Sequence, residues 1–462
     1  MKKFLSIIAS LMIMTTVSCS EVSTVSQMSE EPQEENTTAE NSVSEKREDV
    51  TITMAVLEDV RNPYIKEAVN DFNEADNGYK IVFKDYMEYY DKSFETENGT
   101  TPEAFANIDT QLSLDVIESG IVDIVPCRIF YDQGKYDSLM KQGAFADLYD
   151  FMQAENYDDS VLYKHILELH ETDGKLCCMP LTFEIDTVAG QTRYVGDKEN
   201  WTIDEMIERW NAMPEGSTFN GHTTKDYVYM TILRNNISSF IDFENQTTNY
   251  NSPEFIKILE FINSFDPPES YKQEMNWNTP HFIMNFPIYG FDDFHGSLWN
   301  EQNEPVTVIG YPSPDESGIL IDTYGDKYSV CEYSSPEVKQ GAWEFIKTLL
   351  NYDIQYDMAE GCFPVNYEVF KKMGEEEYSK HGESNIISIQ GTEYDIGYLS
   401  KEEYDKLVSL IDGTKKVIVN IEDDIAKIIE EELYAMFAGE KTPEETAEVI
   451  QSRAGILISE RY

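Results

Sequence analysis

One stretch constrains this chain more than any other: Asp173-Gly174-Lys175-Leu176-Cys177-Cys178-Met179-Pro180-Leu181-Thr182-Phe183, an apolar run bounded by a turn and a proline. Asp173-Gly174 is turn chemistry, and Lys175 to Met179 reads as a short buried strand. Pro180 has no N–H to donate, so the ladder is expected to stop there while the chain continues extended. Such a segment suits a crossover between two lobes. A length of 462 residues already asks for more than one core.

The chain before this stretch reads as α/β. Val50 to Leu57 alternates and is β-branched, Pro63 opens a helix with Ile65, Ala68, Val69 and Phe72 on one face, and Tyr79 to Tyr86 is a second strand. This βαβ unit implies parallel strands with a right-handed crossover. A second unit follows: Thr101 caps a helix with Pro102 at its first position and Phe105, Ile108, Leu112 and Val116 inward. Gly120 ends that helix and Ile121 to Val125 is the next strand. Ligands of open α/β sheets lie beyond the carboxyl ends of the strands, which singles out Glu58 and Asp59 after the first strand and Arg128 to Tyr131 after the third.

Beyond the crossover, Trp201 precedes Thr202 and Glu205, the spacing of a capping box, with Trp201 and Met206 at the two staple positions. Trp201 is therefore read as packing, with sugar stacking as the alternative; Trp210 is read as core. Ser252-Pro253 starts a helix with Phe255, Ile258, Leu259 and Ile262 inward. The segment from Trp277 to Trp299 differs in kind: Trp277, His281, Phe282, Phe286, Tyr289, Phe291, Phe294, His295 and Trp299 surround Asn285, Asp292 and Asp293, with no helical period. Aromatic faces beside hydrogen-bonding tips are what a sugar site requires. An aromatic-rich core strand and loop accounts for them equally well. Val306 to Tyr311 reads as a strand, Ile319 to Glu332 as a second crossover, and Ser335-Pro336 as the start of a helix facing inward with Val338, Ala342, Phe345, Ile346 and Leu349. Glu422 to Ala438 and a helix capped by Thr442 complete the chain.

The order "DGK", apolar strand, "P" and then "WTIDE" resembles the family 1 extracellular solute-binding proteins, two-lobed receptors of bacterial uptake transporters for sugars and oligosaccharides. Glu118-Ser119-Gly120 to Asp123-Ile124, "GYPSPDESG" at Gly310 to Gly318, and "SSPEVKQGAWEFIKTLL" with "FPVN" at Ser334 to Asn366 match in the same order. The resemblance covers roughly residues 50–462. It implies an α/β, two-lobed periplasmic-binding-protein-like fold of the class II type, each lobe a mixed sheet flanked by helices and joined by hinge crossovers. Lobe 1 is expected at 50–182 and 320–366, and lobe 2 at 183–319 and 367–462, with Gly361 to Asn366 as the last crossover.

Residues 1–18 carry Lys2 and Lys3, an apolar run from Phe4 to Met14, and small residues before Cys19. This order reads as a secretory signal, too short to cross a bilayer. Thr16-Val17-Ser18-Cys19 resembles a lipobox, with Thr16 where leucine is usual, so Cys19 is read as a lipidated N-terminus that anchors the protein to the outer face of the cell membrane. The alternative is an ordinary signal peptide cut near Cys19. Residues 19–49 then hold the anchor and an acidic tether of Ser, Thr, Glu and Asn that cannot bury enough apolar surface to order itself.

The formal charge of −52 disfavours nucleic acid and anionic lipid as partners. Five cysteines remain besides Cys19, none at metal-ligand spacing, and Cys177-Cys178 in an apolar run reads as core rather than as a redox pair. The six histidines are scattered, so no metal or other cofactor is expected.

By position at strand ends and crossovers, the ligand-contacting candidates are Glu58, Arg128, Tyr131, Glu184, Asp186, Tyr289, Asp292, Trp299 and Tyr324. The resemblance implies a monomeric, non-enzymatic binding protein that takes a neutral oligosaccharide and delivers it to the transmembrane subunits of an ABC permease. Two alternatives stay open. A polyamine or other cationic solute fits the same carboxylates and rings. An extracellular glycoside hydrolase would draw a carboxylate pair from Glu58, Glu184, Asp186, Asp292 or Asp293. An adhesin or sensor subunit that binds without transport is a further class.

Overall fold

The computed structural model describes residues 49–461 apart from 59–61, 97–98, 235–236, 243–244, 269–278, 286, 301–303, 314–316, 324–326, 360, 390 and 419–421. Cys19, expected as the anchor, residues 20–48 of the expected tether, Asp59, Trp277, Phe286 and Tyr324 lie outside the described residues.

Three sheets organise the molecule. Their strands, in chain order, are β1 (Val50–Val56), β2 (Tyr79–Asp85), β3 (Ile124–Pro126), β4 (Met179–Pro180), β5 (Thr182–Asp186) and β6 (Val188–Gln191), then β7 (Met284–Asn285), β8 (Val306–Val308), β9 (Leu320–Asp322), β10 (Lys327–Val330), β11 (Phe363–Pro364) and β12 (Lys416–Val417). One sheet runs β2-β1-β3-β10-β4, a second β11-β5-β9-β12, and a third β7-β6-β8. β1 pairs in parallel with β2 and β3, as the βαβ reading requires, whereas β10 is antiparallel to β3 and β4.

Between β1 and β2, helix α1 (Pro63–Glu74) is capped by Asn62, whose side chain accepts from the Tyr64 and Ile65 N–H groups, and buries Ile65, Ala68, Val69 and Phe72. Those are the four apolar positions at helical spacing, and burying each is worth roughly 1.5–3 kcal/mol, less for the alanine. Helix α2 (Ala106–Ile117) begins later than expected. Pro102–Phe105 winds as a 3₁₀ turn first, and Thr101 makes no side-chain capping bond. The following strand is also shorter than Ile121 to Val125, because Asp123 uses its carboxylate to accept the Thr53 N–H at 2.7 Å where a ladder would otherwise form.

The Asp173-Gly174 turn closes as expected, with Thr172 and Lys175 exchanging backbone hydrogen bonds at 2.9 and 3.0 Å. The strand after it is only Met179–Pro180. Leu176 and Cys177 give their carbonyls to the Leu148 N–H and the Ser329 hydroxyl instead of to a neighbouring strand. Pro180 ends the ladder as expected, as its last paired residue, opposite Lys327. β4 is an edge strand, paired on one side, and such a strand tolerates a residue without an N–H.

Leu181 is the only residue between β4 in the first sheet and β5 in the second, and β9, which ends at Asp322 in the second sheet, is followed along the chain by β10, which begins at Lys327 in the first. The two passages therefore run side by side, antiparallel in both sheets. A third passage follows a long helix, Pro336–Leu349, and reaches β11, where Phe363 pairs with Phe183 of β5. An apolar cluster runs through these passages, from Ile52 and Val330 through Leu181, Phe183 and Ile185 to Phe363, Phe370 and Leu407.

Candidate functional site

β5 is where the sequence pattern and the topology meet. Its alternation sends Phe183 and Ile185 into the apolar cluster, which leaves Glu184 and Asp186 together on the opposite face. In the pairing with β9, Asp322 stands opposite Glu184 and Leu320 opposite Asp186. Burial raises the Glu184 carboxyl to about 8, with Asp322, Asp186 and Asp293 adding to the shift. At neutral pH Glu184 is therefore mostly a neutral acid, able to donate one hydrogen bond and accept others.

Asp186 is fixed from below. The buried Tyr311 donates its hydroxyl to Asp186 Oδ1 at 2.7 Å, and the Tyr311 N–H donates to the Gly318 carbonyl at 2.7 Å. Trp201, 2% exposed, donates its indole N–H to the Gly310 carbonyl at 2.9 Å. Its neighbour Thr202 forms the capping box with Glu205 at the start of helix Ile203–Asn211, and Met206 is buried beside it. Trp201 is thus packing, and it bonds the residue next to Tyr311, whose hydroxyl holds Asp186. Trp210 packs among Phe219, Phe265 and Phe282, also as core.

The aromatic segment divides. Phe282, Phe291 and Phe294 are core, while Tyr289 is half-exposed at the start of the short helix Phe291–Ser297. The Tyr289 N–H donates to Asp293 Oδ2 at 3.2 Å, and it is Asp293, not Asp292, that acts on Glu184. Asp292 is exposed and faces Glu377 and Lys380 electrostatically. The Trp299 ring meets Tyr394 edge to face at 5.2 Å.

On the first sheet, Glu58 follows β1 in a left-handed conformation (φ 62°), its N–H held by Asp85 Oδ1 at 2.8 Å. That conformation is uncommon for a residue with a Cβ and fixes where the chain leaves the strand. Arg128 is exposed in the turn after β3. Tyr131, three residues on, stacks on Phe105 with ring centroids 4.7 Å apart and planes 8° from parallel, and Tyr90 meets Phe105 edge on at 5.2 Å. The sequence placed Phe105 on a buried helix face; it is only half-buried and carries Tyr131. The structure thus brings Glu184, Asp186, Asp322 and Asp293 together on the crossover side, and Tyr131, Phe105 and Tyr90 together at the strand ends of the first sheet.

Cys127, Cys177, Cys178 and Cys331 are buried free thiols. Burial pushes Cys177 up to about 11 and Cys127 up to about 12, so neither forms thiolate at neutral pH. Among the described residues no cluster of His, Cys, Asp and Glu could hold a metal ion, and no helix is long and apolar enough to cross a membrane.

No protein-family model matches the sequence, and no curated protein matches it. Solved structures do. A periplasmic oligogalacturonide binding protein from Yersinia enterocolitica superposes with a TM-score of 0.56 at 14% identity, over 89% of this chain and 100% of that one. An extracellular solute-binding protein family 1 from Alicyclobacillus acidocaldarius gives 0.52 at 15% identity, over 89% and 99%. An ABC transporter solute-binding protein from Agrobacterium radiobacter in complex with ribitol gives 0.50 at 16% identity, again over 89% and 99%. With mixed sheets flanked by helices and paired strands passing between them, the chain has the two-lobed α/β fold that these extracellular solute-binding proteins share.

Proposed function

We propose that this chain is the lipid-anchored, extracytoplasmic binding subunit of an ABC importer, which captures a neutral oligosaccharide between two lobes and hands it to the transmembrane permease subunits. Lobe 1 is 50–182 and 320–366; lobe 2 is 183–319 and 367–462. The observation that carries this reading is the placement of Glu184, a neutral acid at pH 7, beside Asp186 and Asp322 on strands that pass between the sheets. A ligand held there meets both hydrogen-bond donors and acceptors, as a sugar's hydroxyl rim requires. Glu58, Arg128 and Tyr131 contribute from one lobe; Glu184, Asp186, Tyr289, Asp292 and Trp299 from the other, with Tyr324 at the return passage.

A polyanionic ligand such as a uronate chain is disfavoured by the same carboxylates and by the net charge of −52. The carboxylate cluster also supports a second reading, a cationic solute such as a polyamine. Genomic neighbours encoding two permease subunits would support the importer, and a thermal-shift screen of the purified full chain against neutral oligosaccharides tests capture directly. New reducing ends during that incubation would replace the binding role by glycoside hydrolysis. For the anchor, Cys19→Ala is expected to release the protein into the medium or leave its signal uncleaved, since a stable anchor needs acyl chains that Cys19 alone supplies. Unchanged membrane retention of the processed variant contradicts that assignment.

A further inference from the structure

The strand ends of the first sheet carry an exposed aromatic ring whose position is over-determined. Tyr131 is 50% exposed, yet Phe105 covers one face of its ring in a nearly parallel stack. Its backbone is held as tightly as its ring. Asp109, one turn after Phe105 in α2 and only 2% exposed, accepts the Tyr131 N–H at 2.8 Å and the Asp132 N–H at 2.9 Å. Burying a carboxylate is costly unless it is hydrogen-bonded, and here the compensating bonds go to the residue that presents the exposed ring. Burial raises the Asp109 pKa, with the two N–H groups opposing the shift. Tyr90 meets Phe105 edge on at 5.2 Å, so three aromatic side chains form one cluster. Tyr131 and Tyr90 each lie five residues beyond the end of a strand, β3 and β2, both parallel to β1. Ligands of such sheets sit at that edge.

We propose that Tyr131, backed by Phe105 and Tyr90, is a stacking platform for the apolar face of a pyranose ring, and that Asp109 is the residue that positions it. The proposal rests on the saccharide reading above and adds its ring-recognising element. A flat, rigid ring with one face covered matches the C–H face of a cyclic sugar, because stacking needs two planar surfaces and little entropy is lost in ordering a ring already held. A linear polyol offers no such face.

The test is calorimetric titration of the full chain with malto-, xylo- and manno-trioses, ribitol and spermidine, using wild type, Y131F, Y131A, D109N and Y131A/D109N. For whichever triose binds, Y131A is expected to weaken affinity about tenfold and Y131F by no more than about twofold, since the ring and not the hydroxyl makes the stack. D109N should weaken binding in the wild-type background and have no further effect in the Y131A background, a coupling that a merely structural carboxylate would not produce. Triose binding unaffected by Y131A overturns the platform alone. A D109N effect undiminished in the Y131A background overturns the positioning role. Failure of the wild type to bind any triose overturns both this inference and the saccharide reading, as does Tyr131-dependent binding of spermidine only.

Discussion

Glu184 of β5 stands directly opposite Asp322 of β9 in an antiparallel pair, with Asp186 two residues along the same face. Burial first, and the like charge of Asp322 across the strand pair second, favour the protonated form of Glu184.

The proton has a measurable consequence. The folded-state value of Glu184 is raised from 4.5 to about 8, so the native state holds the proton more tightly than the unfolded chain. The stabilisation from this group is complete below pH 4.5, declines as pH rises, and is gone above about 8. Glu184→Gln should remove that dependence and be more stable than wild type at pH 9, on the order of 2 kcal/mol once solvent screening at the exposed edge is allowed for. Urea unfolding at pH 4 and pH 9 checks this; equal pH dependence in the two proteins contradicts it.

His295 gives a second dependence. Its Nδ1 lies 3.2 Å from Glu403 Oε2 and its Nε2 lies 2.8 Å from the Ile396 carbonyl. A neutral imidazole can donate only once, so the geometry favours the doubly protonated ring. The bond to Glu403 raises the pKa above 6.5 against the effect of burial, helped by the Ile396 carbonyl and the charges of Glu403 and Asp292; Glu377 and Lys380 lie beyond Asp292. Stability from this group is present below 6.5 and lost as pH rises through the folded value. His295→Gln should cost about 1 kcal/mol at pH 5.5 and distinctly less at pH 9. A cost that does not change with pH would mean the ring is neutral.

Gly318 tests the support under Asp186. A Cβ there would lie 1.7 Å from the Tyr311 carbonyl oxygen, inside the stretch that aims the Tyr311 hydroxyl. Gly318→Ala should destabilise by about 3 kcal/mol and weaken ligand binding with it. Gly413→Ala, whose Cβ would meet nothing within 4 Å, serves as the control and should shift stability by no more than about 0.5 kcal/mol. Similar melting temperatures for the two variants would refute the account of this stretch.

The passages at Leu181 to Glu184, Asp322 to Tyr324 and Phe363 to Asn366 are proposed as the hinge. Short connections absorb lobe rotation, and a ligand touching both lobes favours the closed state by its differential contacts. X-ray scattering should give a smaller radius of gyration with saturating ligand. Superimposable profiles would argue for a rigid molecule.

What the sequence made legible was whatever depends on local spacing. The four inward residues of α1 and the Thr202–Glu205 capping box follow from helical period and cap chemistry, and both are present. Trp201 was recognisable as a staple residue for the same reason. Non-local competition was not legible. Asp123 taking the Thr53 N–H shortened β3, and Ser329 taking the Cys177 carbonyl dissolved most of the strand before Pro180. Glu184 and Asp186 stand out in the sequence because they flank a crossover. The partner that matters most, Asp322, depends on strand register, and the seat of Tyr131 on Phe105 depends on how α2 packs beside the turn after β3. Neither relation leaves a mark in local sequence.

Capture of a neutral saccharide is what we propose for this chain. Its most direct test is titration of the wild-type chain with neutral oligosaccharides and with spermidine at about 0.02 and 0.5 M salt, because screening weakens charge-paired binding and leaves a neutral ligand nearly unaffected. Binding of at least one oligosaccharide with an affinity that changes less than about twofold between the two salts is the predicted result. Binding of spermidine alone, weakening steeply as salt rises, would contradict it.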